Sequence, residues 1–217
     1  MISDDPPRSR MVGGGINTSA PGQTVVVTQM LGADSDTPTR EEDLRARFLS
    51  FDPLFDGDAT LVAHQLVLRG QTAPPDAPPE LRQMDEDMLL TGLFSLVQGN
   101  VTGSLPLLVQ ISTGILFSDV LSELDHPRIV WRVDIADEQQ LARALTLQDR
   151  GMHFCPTLNP DNATVRDSAS AWRYLACRAD CQPPRTQAQL VVEGEAGSLQ
   201  QRWPAGTWFK RGALPDE

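Results

Sequence analysis

Apolar and polar positions alternate in a way that divides the chain into a leader and a region of regularly spaced elements. Phe48–Phe55 (FLSFDPLF) and Thr60–Leu68 (TLVAHQLVL) are dense in aromatic, leucine and β-branched side chains, with the turn Asp56-Gly57-Asp58 between them. Strands joined by so tight a turn pair antiparallel. Gln71–Pro79, with prolines at 74, 75, 78 and 79, reads as a loop. Pro79–Val97 then places Leu81, Met84, Met88, Leu89, Leu93, Leu96 and Val97 at helical spacing. Strand Leu105–Ile111, a helix near Gly114–Leu124, strand Ile129–Ile135 and helix Glu138–Arg150 follow, the last closed by Gly151. A short strand Met152–Thr157, a helix Ser168–Ala179, a strand Ala188–Glu193 and a last aromatic strand Thr207–Lys210 complete the pattern.

Two adjacent strands and then strand–helix units of about 20 to 30 residues predict an α/β sheet or barrel with an antiparallel first pair. A full (β/α)8 barrel needs about 250 residues, more than this region supplies. The shortfall falls between Arg178 and Gln187, so the second half of the barrel is expected to be incomplete or compressed.

Residues 1–44 read as a separate, flexible arm. Gly13–Gly15 and several prolines interrupt it, and a single strand-like run, Thr24–Met30 (TVVVTQM), lies inside it. That run is expected to pair with a sheet, in its own chain or in a partner. Residues 45–217 form the folded domain.

Composition narrows the function. The formal net charge is −11, from 29 acidic and 18 basic residues, and Lys210 is the sole lysine. Such a field repels nucleic-acid backbones and anionic lipid, so neither is expected as a partner. The longest apolar run, Leu105–Phe117, contains Gln110, Ser112 and Thr113 and is too short to span a bilayer. Met1–Arg10 lacks the basic and apolar segments of a secretory leader, and Cys155, Cys177 and Cys181 make an odd count. A soluble, cytoplasmic protein is the expectation.

The elements resemble, in order, those of EAL domains, the cyclic-di-GMP phosphodiesterase family. FLSFDPLFD resembles the family's opening strand "fvarQPIfd". LVAHQLVLRG (residues 61–70) resembles the signature strand "vvgyELLfRg", matching at Arg69 and Gly70. LLVQIST (107–113) resembles "vfvNls", RIVWRVDI (128–135) resembles "rvvlEi", and Leu141–Cys155 resembles "l..l...G..ialDDFG". LVVEGE (190–195) resembles "viAEgVE", and AGTWFKR (205–211) the closing "QGyyfsrP". The register spans roughly residues 46–215.

The resemblance implies an EAL-like barrel, and it also implies where metal ligands would stand. Active members bind metal ions through carboxylates and an asparagine at strand ends, because hard divalent cations require oxygen anions. Here the signature glutamate falls on Gln65, the asparagine on Gln110 and the next glutamate on Arg132. The paired aspartates fall near Thr157 and Leu158. The family lysine should lie around 176–180, where there is none, and the late glutamate falls on Glu193 or Glu195. No catalytic residue, metal ligand or cofactor is therefore expected. Arg69 is retained as a residual phosphate contact or, in the blander reading, as one half of a salt bridge.

Other candidates weigh against a bland alternative in the same way. His153 and Cys155 share a strand face but lack an orienting group. Cys177 and Cys181, with His153, fall short of a zinc signature. Gly13–Gly15 lacks the lysine and helix of a phosphate loop. His64 and His126 read as packing and loop residues. Among the tryptophans, Trp131 and Trp172 read as core, while Trp203 and Trp208 are candidates for an exposed contact surface. The function expected is a non-catalytic EAL-like regulatory or scaffold domain acting on a protein partner, with a homo-oligomer compatible, rather than on cyclic-di-GMP. Two rivals are a non-hydrolysing cyclic-di-GMP receptor and an unrelated α/β enzyme, for which Asp134 and Asp137 are the nearest carboxylate pair.

Overall fold

The computed structural model describes residues 47–70, 72–74, 76–99, 103–159, 162–179, 181, 184, 186–194 and 203–210. The arm and its Thr24–Met30 run lie outside these residues. The elements are β1 (Phe48–Phe55), β2 (Leu61–Arg69), α1 (Pro79–Gln98), β3 (Leu107–Ile111), α2 (Thr113–Leu116) and α3 (Val120–Glu123). They continue as β4 (Ile129–Val133), α4 (Glu138–Gln148), β5 (His153–Pro156), α5 (Ala163–Asp167), β6 (Tyr174–Arg178), β7 (Gln189–Glu193) and β8 (Trp208–Lys210).

All eight strands join one sheet in the order β5-β4-β3-β2-β1-β8-β7-β6. β1 runs antiparallel to both β2 and β8, and the other pairings are parallel. The two ends of the sheet meet at a parallel bridge between Thr157 and Ala176. There the Leu158 N–H donates to the Ala176 carbonyl at 2.7 Å. The result is a barrel fastened by a narrow seam.

Two apolar layers form because a barrel strand buries both of its faces. Leu54, Ala63, Leu108, Val130, Cys155, Tyr174, Ala176, Val191 and Trp208 fill the interior. Leu66, Leu93, Val109, Trp131, Phe154 and Leu175 belong to the outer layer, between the barrel wall and the helices. α1 comes so close to β1 that a Cβ at Gly92 would run into the Leu49 side chain. α4 begins at Asp137, whose Oδ1 accepts from the Gln140 N–H at 2.8 Å. Past its end Gly151 turns the chain at φ 104°, a region where glycine has no Cβ penalty.

The structure corrects the sequence reading at two places. The helix expected near Gly114–Leu124 is two short ones, α2 and α3. Between them Ser118 Oγ accepts from the Val120 N–H at 3.3 Å, a local bond that competes with a continuous helix. The helix expected at Ser168–Ala179 is a single 3-10 turn, Ala169–Ala171, followed by strand β6. Tyr174–Cys177 is buried throughout, and a short run buried on both faces shows neither strand nor helix periodicity. The helix of that unit lies earlier, at α5, where Asn162 Oδ1 caps the Thr164 N–H at 3.0 Å. Of the two forms expected for the second half, incomplete or compressed, the structure has the second: with β6 in place eight strands are formed and the compression lies in the connections. Among the described residues no helix lies between β6 and β7 or between β7 and β8. No described helix is long and apolar enough to cross a membrane.

Candidate functional site

Strand alternation decides which side chains reach the barrel mouth. The packed interior residues fix the inward set, and two positions further along each strand the same alternation carries Gln65, Gln110, Arg132, Thr157, Arg178, Glu193 and Lys210 inward. The register agrees, with Gln110 opposite Arg132, Arg132 opposite Cys155, and Arg178 opposite Glu193. Gln65, Gln110, Arg132, Thr157 and Glu193 thus come to one face of the barrel. Leu158 does not: it packs in the outer layer. Glu195 lies outside the described residues.

At the centre of the mouth is an ion triad. Arg132 Nη1 donates to Glu193 Oε1, and Lys210 Nζ lies 2.8 Å from the same oxygen. The Arg132 residue is only 9% exposed. Burial alone would raise the Glu193 pKa; Arg132 and then Lys210 outweigh it and hold the carboxyl below its ordinary value. β4, β7 and β8 are tied together by this one carboxylate. Around it lie buried polar atoms without a hydrogen-bond partner among the described residues: Arg132 Nε, Gln65 Oε1 and Thr157 Oγ1.

Arg69 is engaged by its neighbours on β1. Its Nε donates to Ser50 Oγ at 2.9 Å, and its Nη2 donates to both oxygens of Asp52 at 2.7 Å. The salt bridge that the sequence offered as the blander reading is formed.

A divalent metal does not fit this donor set. Among the described residues Glu193 is the one carboxylate at the positions compared, and a guanidinium and an ammonium already hold it. At about 5 Å and an effective dielectric of about 20, one guanidinium repels a dication by about 7 kcal/mol. Among the described residues no group of three or more His, Cys, Asp and Glu side chains is arranged to hold a metal ion.

Beside the mouth, over the C-terminal ends of β2, β3 and β4, runs a groove of about 590 Å³. Leu68, Leu89 and Ile111 make its apolar part, and Gln110, Asp134, Asp85 and Glu86 its polar part. Two of its acids are structural. Glu86 accepts from the Ser112 N–H at 2.6 Å and from its hydroxyl at 2.7 Å. Asp85 accepts from the Ala73 N–H at 2.6 Å and pairs with Arg47. Asp137 caps α4 instead of joining Asp134 in a carboxylate pair.

The remaining candidates are packing groups. Burial pushes the Cys155 thiol far up despite the nearby Arg132, and His153, held below its ordinary value by burial and Arg173, stacks edge-on to Tyr174. Cys177 faces the outer layer, away from His153. His64 meets Phe51 edge-on, and His126 Nδ1 accepts from the Arg128 N–H at 3.3 Å. Trp208 is interior and 8% exposed, which corrects its reading as an exposed contact; Trp203 is partly buried against the core. The sequence reading missed Lys210 and Asp52 as members of the site. Each stands two residues from an inward neighbour, Trp208 or Leu54, and that spacing was the signal available.

Comparison with known proteins establishes the fold. No family model matches the chain, and no curated protein matches its sequence. Among solved structures, Klebsiella pneumoniae BlrP1, in a calcium and cyclic-di-GMP complex, superposes with a TM-score of 0.50 at 11% identity. That match covers 88% of this chain and 58% of the other. The cGMP-bound EAL enzyme Bd1971 gives 0.50 at 11% identity, over 78% of this chain and 61% of its own. An EAL domain protein from Listeria monocytogenes EGD-e gives 0.49 at 11% identity, over 81% and 92%. The chain therefore spans about three fifths of the first two chains.

Proposed function

On the premise that the chain carries the EAL fold, we propose that it is a non-catalytic regulatory or scaffold domain of bacterial cyclic-di-GMP signalling that works by binding another protein. The observation that carries this reading is the triad of Arg132, Glu193 and Lys210. The barrel mouth supplies internally the charge compensation that a metal-dependent phosphodiesterase takes from its cations. Gln65 and Gln110, neutral amides at the other compared positions, cannot supply the missing anions. Arg69 is occupied by Asp52, which removes the retained phosphate contact from easy reach.

Calorimetric titration with cyclic-di-GMP tests the reading against its nearest rival. The expected result is no binding tighter than about 100 μM, about −5.5 kcal/mol. A sub-micromolar isotherm would make the chain a nucleotide receptor instead.

A further inference from the structure

Basic side chains are distributed unevenly over this acidic chain. Each even-numbered strand places one at the mouth: Arg69 on β2, Arg132 on β4, Arg178 on β6 and Lys210 on β8. Two carboxylates stand among them, Asp52 on Arg69 and Glu193 on Arg132 and Lys210. Among the described residues three further acids, Asp85, Glu86 and Asp134, line the groove to one side, with Arg82. Among the described residues, the basic side chains of the mouth thus cluster over β4 and β8 around Glu193, on a chain whose net charge is −11.

Within this cluster, Arg132 is nine-tenths buried and its Nε–H has no partner among the described residues. A buried guanidinium donor left unmade costs free energy, and an oxyanion is the group that satisfies it best. Lys210, with its side chain 35% exposed, is the member of the triad that solvent reaches most. Glu193 holds both cations on a single oxygen, which fixes their spacing in the way a second carboxylate orients metal or anion ligands.

We propose that the mouth is an oxyanion site. Arg132 and Lys210, oriented by Glu193, take a phosphate-type group, either the free ion or one carried on a partner's side chain. The site inverts the charge of the metal centre that the resemblance places here. The inference rests on the proposed absence of a catalytic metal. Turnover of cyclic-di-GMP decides that reading and phosphate binding decides this one, so the two fail separately.

The test is titration of the full chain with inorganic phosphate, and in parallel with O-phosphoserine, at constant ionic strength balanced with sodium chloride. Heat and melting temperature are followed. A saturable response in the low millimolar range, of order 1–5 mM, is expected for one charge-assisted contact set. Lys210→Met should weaken it at least about fivefold and Lys210→Arg should restore most of it. Arg150→Gln, just past the end of α4 on the opposite face, should leave it unchanged. Tighter binding of O-phosphoserine assigns the group to a partner side chain, and tighter binding of phosphate assigns it to the free ion. No saturable response beyond the chloride control, or equal weakening by Lys210→Met and Arg150→Gln in variants with native circular dichroism, would overturn the proposal.

Discussion

Lys210, the chain's sole lysine, lies 2.8 Å from Glu193 at the mouth of the barrel, on the oxygen that Arg132 also holds. The two residues stand on neighbouring parallel strands, β7 and β8, inside the sheet. The contact ties β8 to β7 and, through Arg132, to β4.

Removing either side of the triad should have unequal effects. Glu193→Gln leaves Arg132 buried with no anion, and breaking a buried pair in that direction should cost about 3 kcal/mol. Arg132→Met leaves Glu193 with Lys210 at a more exposed position and should cost about 1 kcal/mol. Urea denaturation of both variants checks the order. Equal losses would mean that the buried charge is compensated elsewhere.

Acid should reveal the same carboxyl. Its pKa is lower in the folded protein than its ordinary value of 4.5. A depressed carboxyl contributes stability that is fully present above the unfolded value and is lost as pH falls through the folded one. Stability measured from pH 6 downward should therefore decline below about pH 4.5, and Glu193→Gln should flatten part of that decline. Parallel curves for the two proteins would contradict the assignment.

Much of this architecture was legible in the sequence. β1, β2, α1 and α4 lie within a few residues of where periodicity put them, because each is long enough to show its pattern, and β4 and β7 are marked by their β-branched residues. Tyr174–Arg178 was not legible, since burial on both faces erases alternation and its alanine and cysteine carry no strong preference. The site was half legible. Gln65, Gln110 and Arg132 follow from position along single strands. The Glu193–Lys210 contact depends on long-range sheet order, which pairs β8 with both β1 and β7 and leaves no local trace.

Closure itself is testable at the seam. Ala176 faces the interior opposite Thr157, so Ala176→Leu should overpack the barrel and cost about 1–3 kcal/mol. An open sheet would accept the larger side chain, and an unchanged melting temperature would show that the β5–β6 seam is not closed.

The thiols should react in a fixed order. Cys177 is buried and its thiol is pushed up to about 12, chiefly by burial; Cys155 is fully buried inside the barrel. Cys181 is half-buried. With a chromogenic disulfide at pH 8, Cys181 should label first, and Cys155 and Cys177 only at the rate of unfolding. Rapid labelling of Cys155 would place it outside a packed interior.

The central claim is that the triad replaces catalytic metal. The most direct measurement is incubation of the purified chain with cyclic-di-GMP and Mg²⁺ or Mn²⁺, with the linear dinucleotide product followed by chromatography. The account predicts no product above the buffer control with either ion. Turnover that EDTA abolishes and that Arg132→Met leaves intact would contradict it.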